Sequence, residues 1–419
     1  MLTVGHAQTI LPVIPGEPLG GYADRAGGAL GSLEALEVHA LSIHQDGRRM
    51  VLVVVDIVCV NTDIVERVRE RVQDLGVSAL WLSATHAHST PEAGCFPGGA
   101  PTPASVAARI VQAAYEATRQ AIAGEHPARA RAVRTHVGDV GGRRNVPPAL
   151  SPVVPVDAVV FERPAGPRED RHLGMLVVTP VHPTVLGAEN RFASADLAGG
   201  VRRELAGDAD WVVAATGAAG DISTRATRRG RDLAEIDRLA ADIAAALRSA
   251  IAQPAAPAAD DDTLALPIAR TLSLRANHHA EPAGASTSDA PADPFAARRQ
   301  AVLDQGIILV AERKSRIGVD RHDITVESVR LGSVRLVAIP AELYLGLGER
   351  IRTEHTGANV IVLGYTNGYL GYLPDRDAPV SYETVVSPVE RGSGEMVVRA
   401  ALTQLLELET LAPVVEGTP

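Results

Sequence analysis

Apolar and polar positions alternate along Leu36-Glu37-Val38-His39-Ala40-Leu41-Ser42-Ile43, break at Gln45-Asp46-Gly47, and resume as a nearly unbroken apolar run from Met50 to Val55. Period-two alternation followed by a turn signal predicts two strands around a turn, the second buried on both faces. The spacing then changes. Ile64, Val65, Val68, Val72 and Leu75 fall on one helical face, with Gly76 as a stop, so residues 61–75 are predicted helical. Residues 78–85 form a short apolar strand ending on His86, and residues 104–123 form a second amphipathic helix.

The same reading places strands at 130–137, 156–162, 174–178 and 211–215 and an alanine-rich helix at 233–251. Further on it places a helix at 294–314, a hairpin of 323–330 with 334–340, a helix at 342–355, a strand at 358–363 and a last helix at 394–407. Residues 253–262 (Pro, Ala and Asp) and 281–293 (polar) read as surface loops or insertions. No sequence repeat is visible. Strands and helices alternate, which implies an α/β fold, with α+β as the alternative: a mixed β-sheet core flanked by helices in one large domain, residues 1–412, followed by a tail at 413–419.

Composition narrows the partners. The chain has 419 residues, 46% of them apolar, enough for a large core. Its 40 basic and 50 acidic residues leave a formal charge of −10, and no basic run is interleaved with aromatics, which argues against nucleic acid. The longest apolar run is too short to span a bilayer, and the start lacks the charge-then-apolar pattern of a signal peptide. Two cysteines, Cys59 and Cys95, give neither a disulfide framework nor a thiolate cluster. A soluble cytoplasmic protein without membrane insertion is expected, any metal being held by His, carboxylate or phenolate groups. Nothing in the sequence opposes a homo-oligomer.

Five stretches carry chemistry. In Ser83-Ala84-Thr85-His86-Ala87-His88-Ser89 two imidazoles sit two residues apart at a strand end, where a cleft opens. For an isolated pair, the alternative is two hydrogen-bonded loop histidines. His182 in Pro180-Val181-His182-Pro183 again follows a strand, though a lone histidine is more often a satisfied core residue. Gly220-Asp221-Ile222-Ser223 is a small-residue loop in which Ser223 could be a nucleophile. A tight turn under the site is preferred, because no Gly-x-Ser-x-Gly elbow is present. Glu342 in Pro340-Ala341-Glu342 lies where a strand hands over to a helix, and alone it reads as a helix N-terminal acid. Tyr365, Tyr369 and Tyr372 put three of seven tyrosines within eight residues, with Tyr382 ten further on.

In order, these stretches resemble the catalytic domain of the neutral ceramidase family. Pro18-Leu19-Gly20-Gly21-Tyr22-Ala23 looks like its N-terminal element, and Val54-Val55-Asp56 like its strand ending in Asp. The His-x-His block, the His182 block with Ser194 to Gly199, the Gly-Asp-x-Ser loop (Thr224 replacing its proline), Pro-x-Glu and Asn-x-Tyr-x-x-Tyr follow. The resemblance spans about residues 2 to 410.

It implies one catalytic Zn²⁺ on His86, His182, Glu342 and Tyr372, a donor set suited to zinc. It puts His88, Tyr382 and an arginine of Gly142-Arg143-Arg144 on the substrate. Gly142 stands where the family has Asn, and Arg143 is taken of the two. Ser223 is kept as a catalytic candidate, and Gly21 and Cys95 as substrate contacts. The activity implied is cleavage of an amide bond in an N-acyl amine by zinc-activated water. Nothing after Leu411 supplies the family's C-terminal immunoglobulin-like domain, and Phe and Trp are scarce. A smaller soluble amide, ester or lactam is therefore expected over ceramide. Acyl transfer or ring closure on a specialised metabolite, and a non-catalytic binding protein, are the competing readings.

Overall fold

The computed structural model describes residues 1–95, 101–144, 153–164, 172–253, 263–277, 296–316, 319–355 and 359–410. The apolar runs become strands of three larger sheets. The first is ordered Ala79–Ala84, Arg48–Val55, Leu36–Gln45, Thr3–Leu11, His126–Pro127. The second runs Val212–Thr216, Gly174–Thr179, Val154–Glu162, Arg129–Val137. The third runs Asn359–Leu363, Val334–Ala338, Arg321–Leu331, Leu264–Arg275.

The three sheets repeat one topology. In each, two successive antiparallel pairings are followed by a helix and a fourth strand that pairs in parallel with the third. The connecting helices are Thr62–Arg71, Asp196–Leu205 and Leu345–Glu354, and a second helix follows each parallel pair: Ala104–Ala123, Leu233–Ile251 and Ser393–Thr410. The expectation of no repeat is corrected at the level of topology. Topology constrains which positions are apolar, not which apolar residue fills them, so three such units can share a plan without sharing a legible sequence period.

One contact repeats with the topology. An arginine late in each connecting helix reaches a carboxylate on the second strand of another unit. Arg69 pairs with Glu327 at 3.1 Å, Arg202 with Glu37 at 3.1 Å, and Arg352 with Asp157 at 2.9 Å. The first unit thus grips the third, the third grips the second, and the second grips the first. Such pairs fix how the units register more than they add to stability.

One face of every sheet meets a shared core, where Leu41, Met50 and Trp81 of the first sheet pack with Phe161 and Leu176 of the second and Val329 and Leu336 of the third. The opposite faces are covered by each unit's own helices. Strands buried on both faces explain why the central runs read as continuous rather than alternating. Among the described residues no helix is long and apolar enough to cross a membrane.

Most expected elements form within a residue or two. Glu342 differs: it lies on the short strand Glu342–Leu343, paired in parallel with Tyr372–Leu373, and the helix begins only at Leu345. The Glu342 amide donates to the Gly371 carbonyl at 2.9 Å, a bond a helix start would forgo. Strand Leu264–Arg275 was not foreseen; it carries Pro267 and a register shift between Ala265 and Ile268, which hide its period. The expected loop 281–293, all of 253–262 but Gln253, and the tail 413–419 lie outside the described residues.

Candidate metal centre

The parallel pair of each sheet ends at one place, and ligands in open α/β sheets gather where parallel strands end. From the first sheet comes His86, two residues past Ala84, and from the second His182, three past Thr179. The third supplies Glu342, four past Ala338, and the tyrosine loop after Leu363. All three side chains are 0–2% exposed. Each is steadied by the loop that follows the partner strand of its parallel pair. His86 Nδ1 donates to the Val58 carbonyl and His182 Nδ1 to the Ala219 carbonyl, both at 2.6 Å. Tyr369 Oη donates to Glu342 Oε1 at 2.5 Å. His86 (φ 60°) and Tyr365 (φ 53°) both adopt left-handed backbone, at a cost on the order of 1–3 kcal/mol each. Their rings stack at 4.0 Å, so the strained turns support one another.

Carbonyl oxygens only accept, so both Nδ1 atoms carry hydrogen and both Nε2 atoms present lone pairs in the neutral rings. Those lone pairs face a carboxylate: Glu342 Oε2 lies 2.9 Å from His182 Nε2 and 3.4 Å from His86 Nε2. Burial, with the Arg144 charge, pushes His182 down to about 3, which keeps it neutral. His182 Nε2 and Glu342 Oε2 are buried without a hydrogen-bond partner among the described residues. Acceptors converging on one point, with no proton donor between them, suit a cation. His88 adds a third imidazole. The ring nitrogens of His86, His88 and His182 lie within 4.8 Å of one another, and His88 Nε2 is 3.2 Å from His86 Nε2. Burial and the two neighbouring histidines push His88 well down as well.

Above this floor lies a half-exposed rim of His88, Tyr372, Tyr382 and Tyr22. Tyr372, opposite Glu342 in register, has its ring 6.4 Å from His182 and 6.3 Å from Tyr382. Burial and Glu342 push its phenol well up, against Arg144. The rim takes Arg144 rather than the expected Arg143. Arg144 donates to Tyr372 Oη at 3.2 Å and to Glu383 at 2.9 Å, whereas Arg143 lies 3.4 Å from Asp221. Arg143 ends the short strand Gly142–Arg143 and Arg144 lies in the turn after it, where its side chain reaches Tyr372 and Glu383.

Three further expectations meet the structure differently. Ser223 is 1% exposed; its backbone bridges His182 and its Oγ accepts from the Arg225 amide at 3.2 Å, capping a short turn. Cys95, expected as a substrate contact, is no free thiol but is bonded to Cys59. Thirty-six residues separate the two in sequence, a distance only tertiary folding closes. Gly21 (φ 93°) touches the site through His88, since a Cβ there would sit 2.6–2.7 Å from its ring and Cα. Tyr365, Tyr369 and Glu383 had no role assigned from the sequence, and Arg144 was the alternative to Arg143; the clustering of tyrosines pointed to the first two, and nothing in the sequence pointed to Glu383.

Fold and centre together define a ceramidase-like α/β architecture with a candidate metal site where its three units meet. The neutral ceramidase of Pseudomonas aeruginosa is similar over 100% of this chain and 76% of its own, with TM-score 0.74 and 18% identity. A ceramidase complexed with C2 is similar over 100% and 77%, with TM-score 0.73 and 17% identity. At that identity the likeness establishes the fold. No protein-family model matches the chain, and no curated protein matches it.

Proposed function

We propose that this chain is a zinc-dependent hydrolase that cleaves an amide bond, the zinc being held by His86, His182 and Glu342 with Tyr372 completing the set. The observation that carries this reading is the buried meeting of two neutral imidazole Nε2 atoms with a carboxylate oxygen at 2.9 and 3.4 Å. Zinc, when bound, supplies Lewis-acid polarisation of a carbonyl and acidifies water. Arg144 favours the ionised form of Tyr372 and is itself neutralised by Glu383. His88, half-exposed with Nε2 turned to the centre 3.2 Å from His86 Nε2, is placed to accept a proton at that atom. Tyr382, at the mouth, orients the substrate carbonyl. The names of the structural neighbours support an acyl amide as substrate.

The test is metal quantification of the purified protein coupled to hydrolysis of N-acyl amines, ceramide included. His86→Ala and His182→Ala are expected to lose both metal and turnover. His88→Ala is expected to keep the metal and lose turnover; loss of metal would make His88 a ligand instead. Full activity after chelation would end the metal reading. The Cys59–Cys95 bond favours an oxidising compartment over the cytoplasm expected from the sequence.

A further inference from the structure

The mouth of the centre is lined by positive charge. Tyr22, whose ring meets His88 edge-on at 5.1 Å, lies among three arginines, Arg25, Arg225 and Arg228. Arg25 is spent on the carbonyls of Gly20 and His88 and on Ser89 Oγ, and Arg228 on the carbonyls of Thr184 and Val185. Arg225 is different. It follows Ser223 by two residues, and Ser223 is bridged to His182, so Arg225 leaves the chain beside the floor of the site. Its side chain makes no ion pair and no hydrogen bond among the described residues, while its charge is coupled to Tyr22, Arg144, Glu383 and Tyr372. It is crowded by these groups yet reached by solvent, as a group lining a cleft mouth is.

The carboxylates that could neutralise it are engaged. Glu383 pairs with Arg144, and Glu189 with Arg231. Asp196 accepts from the Val185, Leu186 and Leu197 amides. A cation kept unpaired at the mouth of a site, in a chain of net charge −10, is not explained by general surface charge. A neutral N-acyl amine offers it nothing; a substrate with an oxyanion offers a bidentate partner.

We propose that the amide substrate carries an anionic group, a carboxylate or a phosphate, on the side facing Tyr22, and that Arg225 is the residue that binds it. This rests on the amide-hydrolase reading for where the scissile bond lies. The substrate class is then an N-acyl amino acid or an N-acyl phosphoamine rather than a neutral N-acyl amino alcohol.

The test uses three probes sharing one acyl chain: N-dodecanoylglycine, N-dodecanoyl-O-phosphoethanolamine and the neutral N-dodecanoylethanolamine. Calorimetry on the metal-free protein is expected to show one of the two anionic probes binding on the order of 10- to 100-fold more tightly than the neutral one, the worth of one charge-assisted bidentate pair. Whichever anion wins identifies the group. Arg225→Gln is expected to bring that ratio to within about threefold, while Arg119→Gln, an exposed position of the helix Ala104–Ala123 that pairs with Glu116, leaves it intact. Equal binding of neutral and anionic probes, no binding of either anion, or an unchanged ratio in Arg225→Gln overturns the proposal. Turnover by the zinc-loaded protein is read separately. Anion-selective binding without hydrolysis of any probe would sink the hydrolase reading and leave Arg225's role standing.

Discussion

The bond from Tyr369 Oη to Glu342 Oε1 offers the sharpest probe of the centre, because it touches a proposed ligand without being one. Tyr369→Phe keeps the ring and its packing and removes one donor. At 2.5 Å to a buried carboxylate, that donor is a charge-assisted one, worth about 1.5–3 kcal/mol. It orients the carboxylate whose other oxygen faces His182 at 2.9 Å. If Glu342 holds a metal, most of that energy is lost from metal binding, a fall of roughly 10- to 100-fold in zinc affinity, the range typical when a group orienting a ligand is removed. Competition with a chromophoric chelator measures it. Tyr365→Phe is the matched control. Its hydroxyl is buried with no hydrogen bond among the described residues, and its ring stacks on His86 with or without that oxygen. Zinc affinity is expected to be unchanged there and stability equal or higher, since an unsatisfied polar group is removed. Equal zinc affinity in wild type and Tyr369→Phe, with the fold intact, would refute the assignment of Glu342 as a ligand.

Ser223→Ala is expected to cost about 1 kcal/mol in urea unfolding by removing a turn cap and to retain turnover; a trapped covalent adduct on Ser223 would reverse that assignment. Cys59→Ser should cost about 4 kcal/mol by the chain-entropy argument for a closed loop of some 36 residues. Reducing the wild type should lower its urea midpoint to match, and no change in either case would place the bond outside the folded state. His6 is pushed down to about 3 by burial and then by His39, against Glu37. It is thus neutral when folded and titrates near 6.5 when unfolded. Its contribution is complete above that value and is lost as pH falls from 6.5 toward 3. Urea midpoints at pH 7.5 and 5 should therefore converge in His6→Gln relative to wild type; an identical gap would count against this.

Local pattern was enough to locate most elements. The run Met50 to Val55 is a buried strand wherever it sits, and Ile64, Val65 and Val68 make one helix face by spacing alone. The same logic failed at Leu264–Arg275, where a proline and a register shift break the period that pairing with Arg321–Leu331 restores. It also failed at Glu342, whose local surroundings read as a helix start, because the partner strand lies thirty residues away at Tyr372.

The sequence by itself determined the supply of donors: the His-x-His pair, His182, the carboxylate after Pro340 and the tyrosine cluster, each just past an apolar strand. It also determined, by resemblance, which family's fold to expect. Tertiary structure alone decided what those residues do to one another. The choice of Arg144 over Arg143 follows from which side chain reaches Tyr372 and Glu383 across the fold, which no spacing reveals. The Cys59–Cys95 bond and the tautomers of His86 and His182 depend on partners brought close only by folding. Above all, the threefold recurrence of one sheet topology, locked by Arg69, Arg202 and Arg352, exists in the pairing of strands and not in the order of residues. Each unit ends its parallel strands at the same point, so three separated stretches of chain meet at one buried centre.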